Sequence, residues 1–104
     1  PAVTDLLANA DLMLAPSRLE TCGLAVMEAM AVGCPIVAND LPTHREVAGE
    51  AALYVDDASS MVEAATTVLS SPSLWARLSA AGARLLPDRA AVVAQWLHFW
   101  EHIR

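Results

Sequence analysis

The 104-residue sequence has no lysine; its six basic side chains are all arginines, set against twelve acidic ones for a formal net charge of −6. That balance argues against the broad cationic face by which proteins grip nucleic acid or an anionic membrane. It leaves room for a small anionic ligand held locally. Cysteine is scarce as well. Cys22 and Cys34 are too few for a disulfide framework or a four-ligand zinc site, and as free thiols they fit a reducing compartment. Long apolar runs are missing even though 56% of residues are hydrophobic: none reaches the ~18 residues that span a bilayer. Pro1 to Ala10 also lacks the basic start of a signal peptide. The expectation is a soluble, cytoplasmic chain with no transmembrane segment and no nucleic-acid partner, folded over 1–104 as one compact unit of ordinary domain size.

What is present alternates between short apolar segments and helical patterns. Val3 to Asn9 reads as the end of a short helix, and Leu12 to Ala15 as a strand stopped by Pro16-Ser17. A loop from Ser17 to Gly23 leads into a buried helix, Leu24 to Val32, punctuated by Gly33 and Pro35. Pro35 to Asn39 is a second buried strand and Ala52 to Val55 a third. Between them the Thr43–Glu46 spacing predicts a capping box over a helical turn to Gly49. Ser60 and Glu63 repeat that spacing at the head of a helix to about Leu69, and Ser71-Pro72 opens another ending near Gly82. Asp88 is placed to cap a last helix, whose Val92, Val93, Trp96, Trp100 and Ile103 form an apolar stripe. Strands alternating with helices point to an α/β layer structure with a parallel sheet.

The stretch that carries chemistry runs from Glu20 to Glu28, where a strand-following loop turns into the buried helix. In open α/β sheets this is the ligand end. Gly23 lets the backbone approach a ligand closely, and the unpaired N–H groups at the start of the Leu24 helix can hold a phosphate or a sugar oxygen without any lysine. Glu28 is the one charge in a helix of Leu, Ala, Val and Met, so it needs partners. Its two acceptor oxygens suit the vicinal diol of a ribose. A thin exposed edge, or a pair with Arg18 or Arg45, would account for it equally well, and Glu20 alone reads as a solvated loop carboxylate.

Pro16 to Leu24, followed by Glu28 to Ala38, resembles the Glu-x7-Glu signature of group 1 (family 4) retaining glycosyltransferases. Pro42 to Val47, Gly49 and Ala51 to Asp56 are similar to the same family, and Ser71-Pro72-Ser73-Leu74 matches it more loosely. The resemblance implies the two-lobed GT-B architecture, with this chain the C-terminal half of the Rossmann-like lobe that holds a UDP-, GDP- or ADP-sugar. It implies transfer of a hexose with retention and no required metal or other cofactor. It places Glu20 at the donor sugar's hydroxyls, Thr21, Cys22, Gly23 and Leu24 along the sugar and diphosphate, and Glu28 on the ribose. Cys22 stands where the family usually has an aromatic residue. The N-terminal lobe and the acceptor site belong to the rest of such an enzyme, so the isolated segment is expected to be inactive, and the full enzyme to be cytoplasmic or peripheral to a membrane. A non-catalytic binding module and a sugar-nucleotide epimerase are the alternatives.

Other signals are weaker. His98-Phe99-Trp100-Glu101-His102 has the spacing of a zinc-peptidase helix but no third ligand downstream, so no metal is assigned. His44 lacks a neighbouring nucleophile and acid and reads as a surface or packing residue. Trp75, Trp96 and Trp100 fall on apolar helix faces, which predicts packing, with a homodimer through the C-terminal helix as one use of any exposed surface.

Overall fold

The computed structural model describes residues 10–16 and 24–103, except for the side chains at 89, 99, 100, 102 and 103. The helix end expected at 3–9 and the loop at 17–23 lie outside these residues. Three strands, β1 (Met13–Ala15), β2 (Ile36–Asn39) and β3 (Ala52–Val55), form a parallel sheet in the order β1-β2-β3. Met13 pairs with Ile36 in β2, which pairs in turn with Ala52 in β3. The helices are α1 (Leu24–Ala31), α2 (Pro42–Ala48), α3 (Ala58–Ser70), α4 (Pro72–Leu85) and α5 (Arg89–Ile103), with a 3-10 turn at Gly49–Ala51.

The sheet explains why β2 reads as a continuous apolar run. All four of its residues are buried, and alternation divides its three apolar ones between two cores. Ile36 and Ala38 join Met27 and Met30 of α1, Val47 of α2, Ala81 of α4 and Val92 of α5. Val37 faces the other way, toward Met61 and Val68 of α3 and Leu78 of α4. Met27 and Met30 are 0% and 1% exposed. Burial at that level stabilises by about 1.5–3 kcal/mol for each such side chain.

Helix α1 ends as the sequence predicts, at a glycine. Gly33 has φ +73°, its N–H donates to the Met30 carbonyl (3.1 Å), and the Cys34 N–H donates to the Ala29 carbonyl (2.9 Å). This Schellman arrangement turns the chain straight into β2. Asp88 also caps α5 as expected, its Oδ1 accepting the Ala91 N–H at 2.8 Å.

Other helix boundaries differ from expectation. The Thr43–Glu46 capping box does not form: α2 starts with Pro42, its N-cap is Leu41, and no side chain caps it. Proline at the first helical position presets φ and has no N–H to satisfy, so it fixes the start and puts Thr43 inside the first turn. Ser60 is likewise inside α3, not at its head. Asp57 is the cap and its Oδ1 accepts the Ser60 N–H at 2.7 Å; aspartate caps as well as serine does and stands three residues upstream, so the helix starts earlier. Helix α4, capped by Ser71 Oγ on the Leu74 N–H (3.3 Å), continues past Gly82 to Leu85. Gly82 is there for close packing, since a Cβ on it would lie 3.0 Å from Met30 Cα.

Candidate functional site

Because the strands run parallel, their C-terminal ends line one edge of the sheet, at Ala15, Asn39 and Val55. Helices α1, α2 and α3 each begin after one of these ends, so their N-termini open on the same edge. The first N–H groups of such a helix lack intrahelical acceptors and carry the positive end of its dipole, although Pro42 removes one at α2 and Asp57 takes the Ser60 N–H at α3.

Helix α1 places two of the expected site residues. Leu24 is its first residue and is 38% exposed, while Glu28 lies one turn further along on the same face and is half-buried. The two line a shallow cavity of about 230 Å3 together with Val92, Val93 and Trp96 of α5. Val26, Met27, Ala29 and Met30 bury the rest of the helix, so Glu28 sits on a rigid support. The other expected site residues, Glu20, Thr21, Cys22 and Gly23, lie outside the described residues, as does Arg18.

The second group forms at the β2–α2 turn. Arg45 grips Asp40 with two bonds, Nε to Oδ1 and Nη2 to Oδ2 (3.0 Å), and its guanidinium stacks 4.4 Å from the centre of the Tyr54 ring. Arg45, one of the two arginines considered as partners for Glu28, is therefore engaged by Asp40. The hydrogen bonds from Arg45 hold the Asp40 carboxyl below its usual pKa, and Asp40 in return raises that of Arg45. Partial burial pushes the Tyr54 hydroxyl up, with Arg45 opposing; that hydroxyl donates to the Gly49 carbonyl at 2.7 Å.

His44 is not a surface residue. It is 1% exposed, and its Nδ1 lies 2.8 Å from the Asn39 carbonyl oxygen. A carbonyl can only accept, so Nδ1 carries the proton. The packing half of the expectation for His44 holds. Asn39, read from the sequence as the end of a buried strand and given no role there, has its side chain buried at the C-terminal edge of the sheet.

Cys34 is a buried free thiol whose pKa is raised by burial first and by Asp11 second, which makes it a poor nucleophile. No three histidine, cysteine, aspartate or glutamate side chains come together among the described residues, and the side chain of His102 is not one of those described. Trp75 packs against the second core and donates its indole N–H to the Asp11 carbonyl at 2.7 Å. Trp96 packs against the first core, while Val93 and Leu97 are the exposed large apolar residues among the described side chains of α5, at 46% and 45%.

Comparison with known proteins adds the family. Residues 1–71 match the model of the glycosyl transferases group 1. Over 78 residues, 69% of this chain, the sequence is 38% identical to the lipopolysaccharide core biosynthesis mannosyltransferase LpsB of Rhizobium meliloti (strain 1021). It is 33% identical over 102 residues (91% of the chain) to the phosphatidyl-myo-inositol mannosyltransferase of Mycobacterium leprae (strain TN). It is 37% identical over 73 residues (68%) to a GDP-mannose-dependent alpha-(1-6)-phosphatidylinositol dimannoside mannosyltransferase of Mycobacterium tuberculosis. The chain spans 22%, 27% and 19% of the lengths of these relatives.

Proposed function

The chain belongs to the group 1 glycosyl transferases, and from that premise we propose that it is the donor-binding segment of an enzyme that moves a hexose from a nucleotide sugar to an acceptor with retention at the anomeric carbon. The observation that carries this reading is the placement of Glu28. It is a half-buried carboxylate on the second turn of a helix that opens at the ligand edge of a parallel sheet, in line with Leu24. A carboxylate there offers two acceptors to the paired hydroxyls of a ribose, and the first N–H groups of the helix face the diphosphate.

In this reading Glu28 orients the nucleoside, and the backbone from Thr21 to Leu24 lies along the diphosphate and sugar. Glu20 acts on the hydroxyls of the sugar by position and charge, without forming a covalent intermediate. The names of the three relatives make mannose the first hexose to test and GDP the first nucleotide. The parts of such an enzyme that precede this segment supply the acceptor site and the cations that stabilise the leaving diphosphate. No helix among the described residues is long and apolar enough to cross a membrane.

The test is an amide NMR titration of the chain with GDP, UDP and ADP and their sugar conjugates, following Leu24 and Glu28. Saturable shifts centred on these two residues, selective for one nucleotide and lost in Glu28→Gln, are expected. Binding of equal strength in Glu28→Gln would remove Glu28 from the donor site.

A further inference from the structure

Two of the six basic side chains in this acidic protein meet at one place: Arg77 and Arg84 of α4 line a cavity of about 410 Å3 together with Glu50. Its floor is apolar, made by Ala52, Leu53, Leu78 and Ala81. That volume falls within the roughly 300–1,000 Å3 of small-ligand sites. Ala52 opens β3 and Glu50 belongs to the 3-10 turn before it, so the cavity lies by the N-terminal edge of the sheet, opposite the strand ends at which α1 begins. It shares no lining residue with the cavity beside Glu28.

The charges of the walls are unequal. Arg77 and Arg84 stand two helical turns apart on one face of α4, roughly 10 Å along its axis, with Leu78 and Ala81 between them. Arg77 is exposed and has no hydrogen-bond or ion-pair partner among the described residues. Arg84 has Glu50, at 3.3 Å, with the two side chains 65% and 84% exposed. Charge-assisted bonds of full strength are shorter, about 2.7–2.9 Å, and exposed pairs contribute little. The cavity thus carries two guanidiniums against one loosely held carboxylate, a local excess of positive charge on a chain of net charge −6.

A guanidinium fork matches the oxygens of a phosphate or a carboxylate. A single carboxylate would do no more for Arg84 than Glu50 already does, whereas a dianion can answer both arginines. The apolar floor further favours an anion that carries an organic body over a bare inorganic one. We propose that this cavity binds a phosphomonoester, its oxygens taken by Arg77 and, in place of Glu50, by Arg84, and its organic body resting against Leu53, Leu78 and Ala81. At neutral pH such a group carries about −1.5 to −2 charges. A soluble phosphorylated metabolite and a lipid headgroup present the same chemistry. The inference does not rest on the donor reading of Glu28.

The probe is phenyl phosphate, titrated at about 0.15 M salt into isotopically labelled chain while the Leu53 and Leu78 methyls and the Nε–H groups of Arg77 and Arg84 are followed. Saturable shifts at these groups are expected, with affinity about tenfold weaker in Arg77→Gln and in Arg84→Gln, both at exposed helix positions that glutamine suits. Glu50→Gln should bind about two- to fivefold more tightly, because it frees Arg84; arginines that served only the fold would give no such gain. Sedimentation with phosphatidylcholine vesicles containing phosphatidic acid separates the two sources. Co-sedimentation that Arg77→Gln abolishes assigns the site to a lipid headgroup, and a response to phenyl phosphate without co-sedimentation assigns it to a soluble metabolite; both support a phosphomonoester site. No saturable shift, the same shifts with benzyl alcohol, or affinity unchanged in both arginine variants would overturn the proposal.

Discussion

Gly82 of α4 rests directly on Met30 of α1: a Cβ at residue 82 would stand 3.0 Å from Met30 Cα and 3.1 Å from its carbonyl oxygen. Both contacts are to backbone, which cannot swing aside as a side-chain tip can. Gly82→Ala is therefore expected to destabilise the fold by about 1–3 kcal/mol, against the small gain that alanine brings to an exposed helix. Urea denaturation of the two proteins reads the difference, and an unchanged midpoint would mean that α1 and α4 separate easily.

A second expectation separates binding from folding. Glu28 is half-buried on a helix whose other face makes the core, so Glu28→Gln keeps the side-chain volume and leaves α1 packed. Nucleotide affinity should fall about tenfold or more, since one acceptor oxygen is replaced by a donor amide, while the nucleotide-free protein still unfolds in one cooperative transition. Isothermal titration and a thermal melt on the same samples check both halves.

The Asp40–Arg45 pair makes a pH prediction of defined sign. The carboxyl of Asp40 is held below its unfolded value by the Arg45 hydrogen bonds. Its contribution is thus fully present above the unfolded pKa of about 3.9 and is lost as pH falls through the lower folded value. Asp40→Asn should lose less stability than the parent on going from about pH 5 to pH 3. The pair is exposed, so added salt should shrink the difference. Parallel acid limbs for the two proteins at low salt would show that the pair contributes nothing.

Tyr54 ties β3 back to the end of α2 through its 2.7 Å bond to the Gly49 carbonyl, and its ring supports Arg45. Tyr54→Phe keeps the ring and deletes the bond, for an expected cost of about 1 kcal/mol. Tyr54→Leu should cost more, because the guanidinium stacking goes as well. Chemical denaturation of the pair of variants distinguishes these contributions.

The three strands and α1 could be read from the sequence because their signals are redundant. An apolar run bounded by Pro16, Asn39 or Gly33 admits few other readings, and burial on both faces of β2 removes the ambiguity of alternation. Helix starts were less legible. A Thr-x-x-Glu spacing looks the same whether or not a proline already stands at the first helical position, and Ser60–Glu63 hides the better cap at Asp57. Gly82 was read as a stop because a sequence does not say whether a glycine serves conformation or close approach. Leu24 and Glu28 lie on the helix that the pattern of charge and apolarity predicts, whereas the sequence left open whether His44 is on the surface or packed and gave Asn39 no role. Their burial depends on how the helices pack on the two faces of the sheet, which no local pattern encodes.

The bond from the Trp75 indole to the Asp11 carbonyl joins positions 64 residues apart. On a ribosome, where the chain emerges from its N-terminus, β1 leaves the exit long before the helix that latches it. The first strand must therefore wait, paired with β2 but unlatched, until α4 has been made.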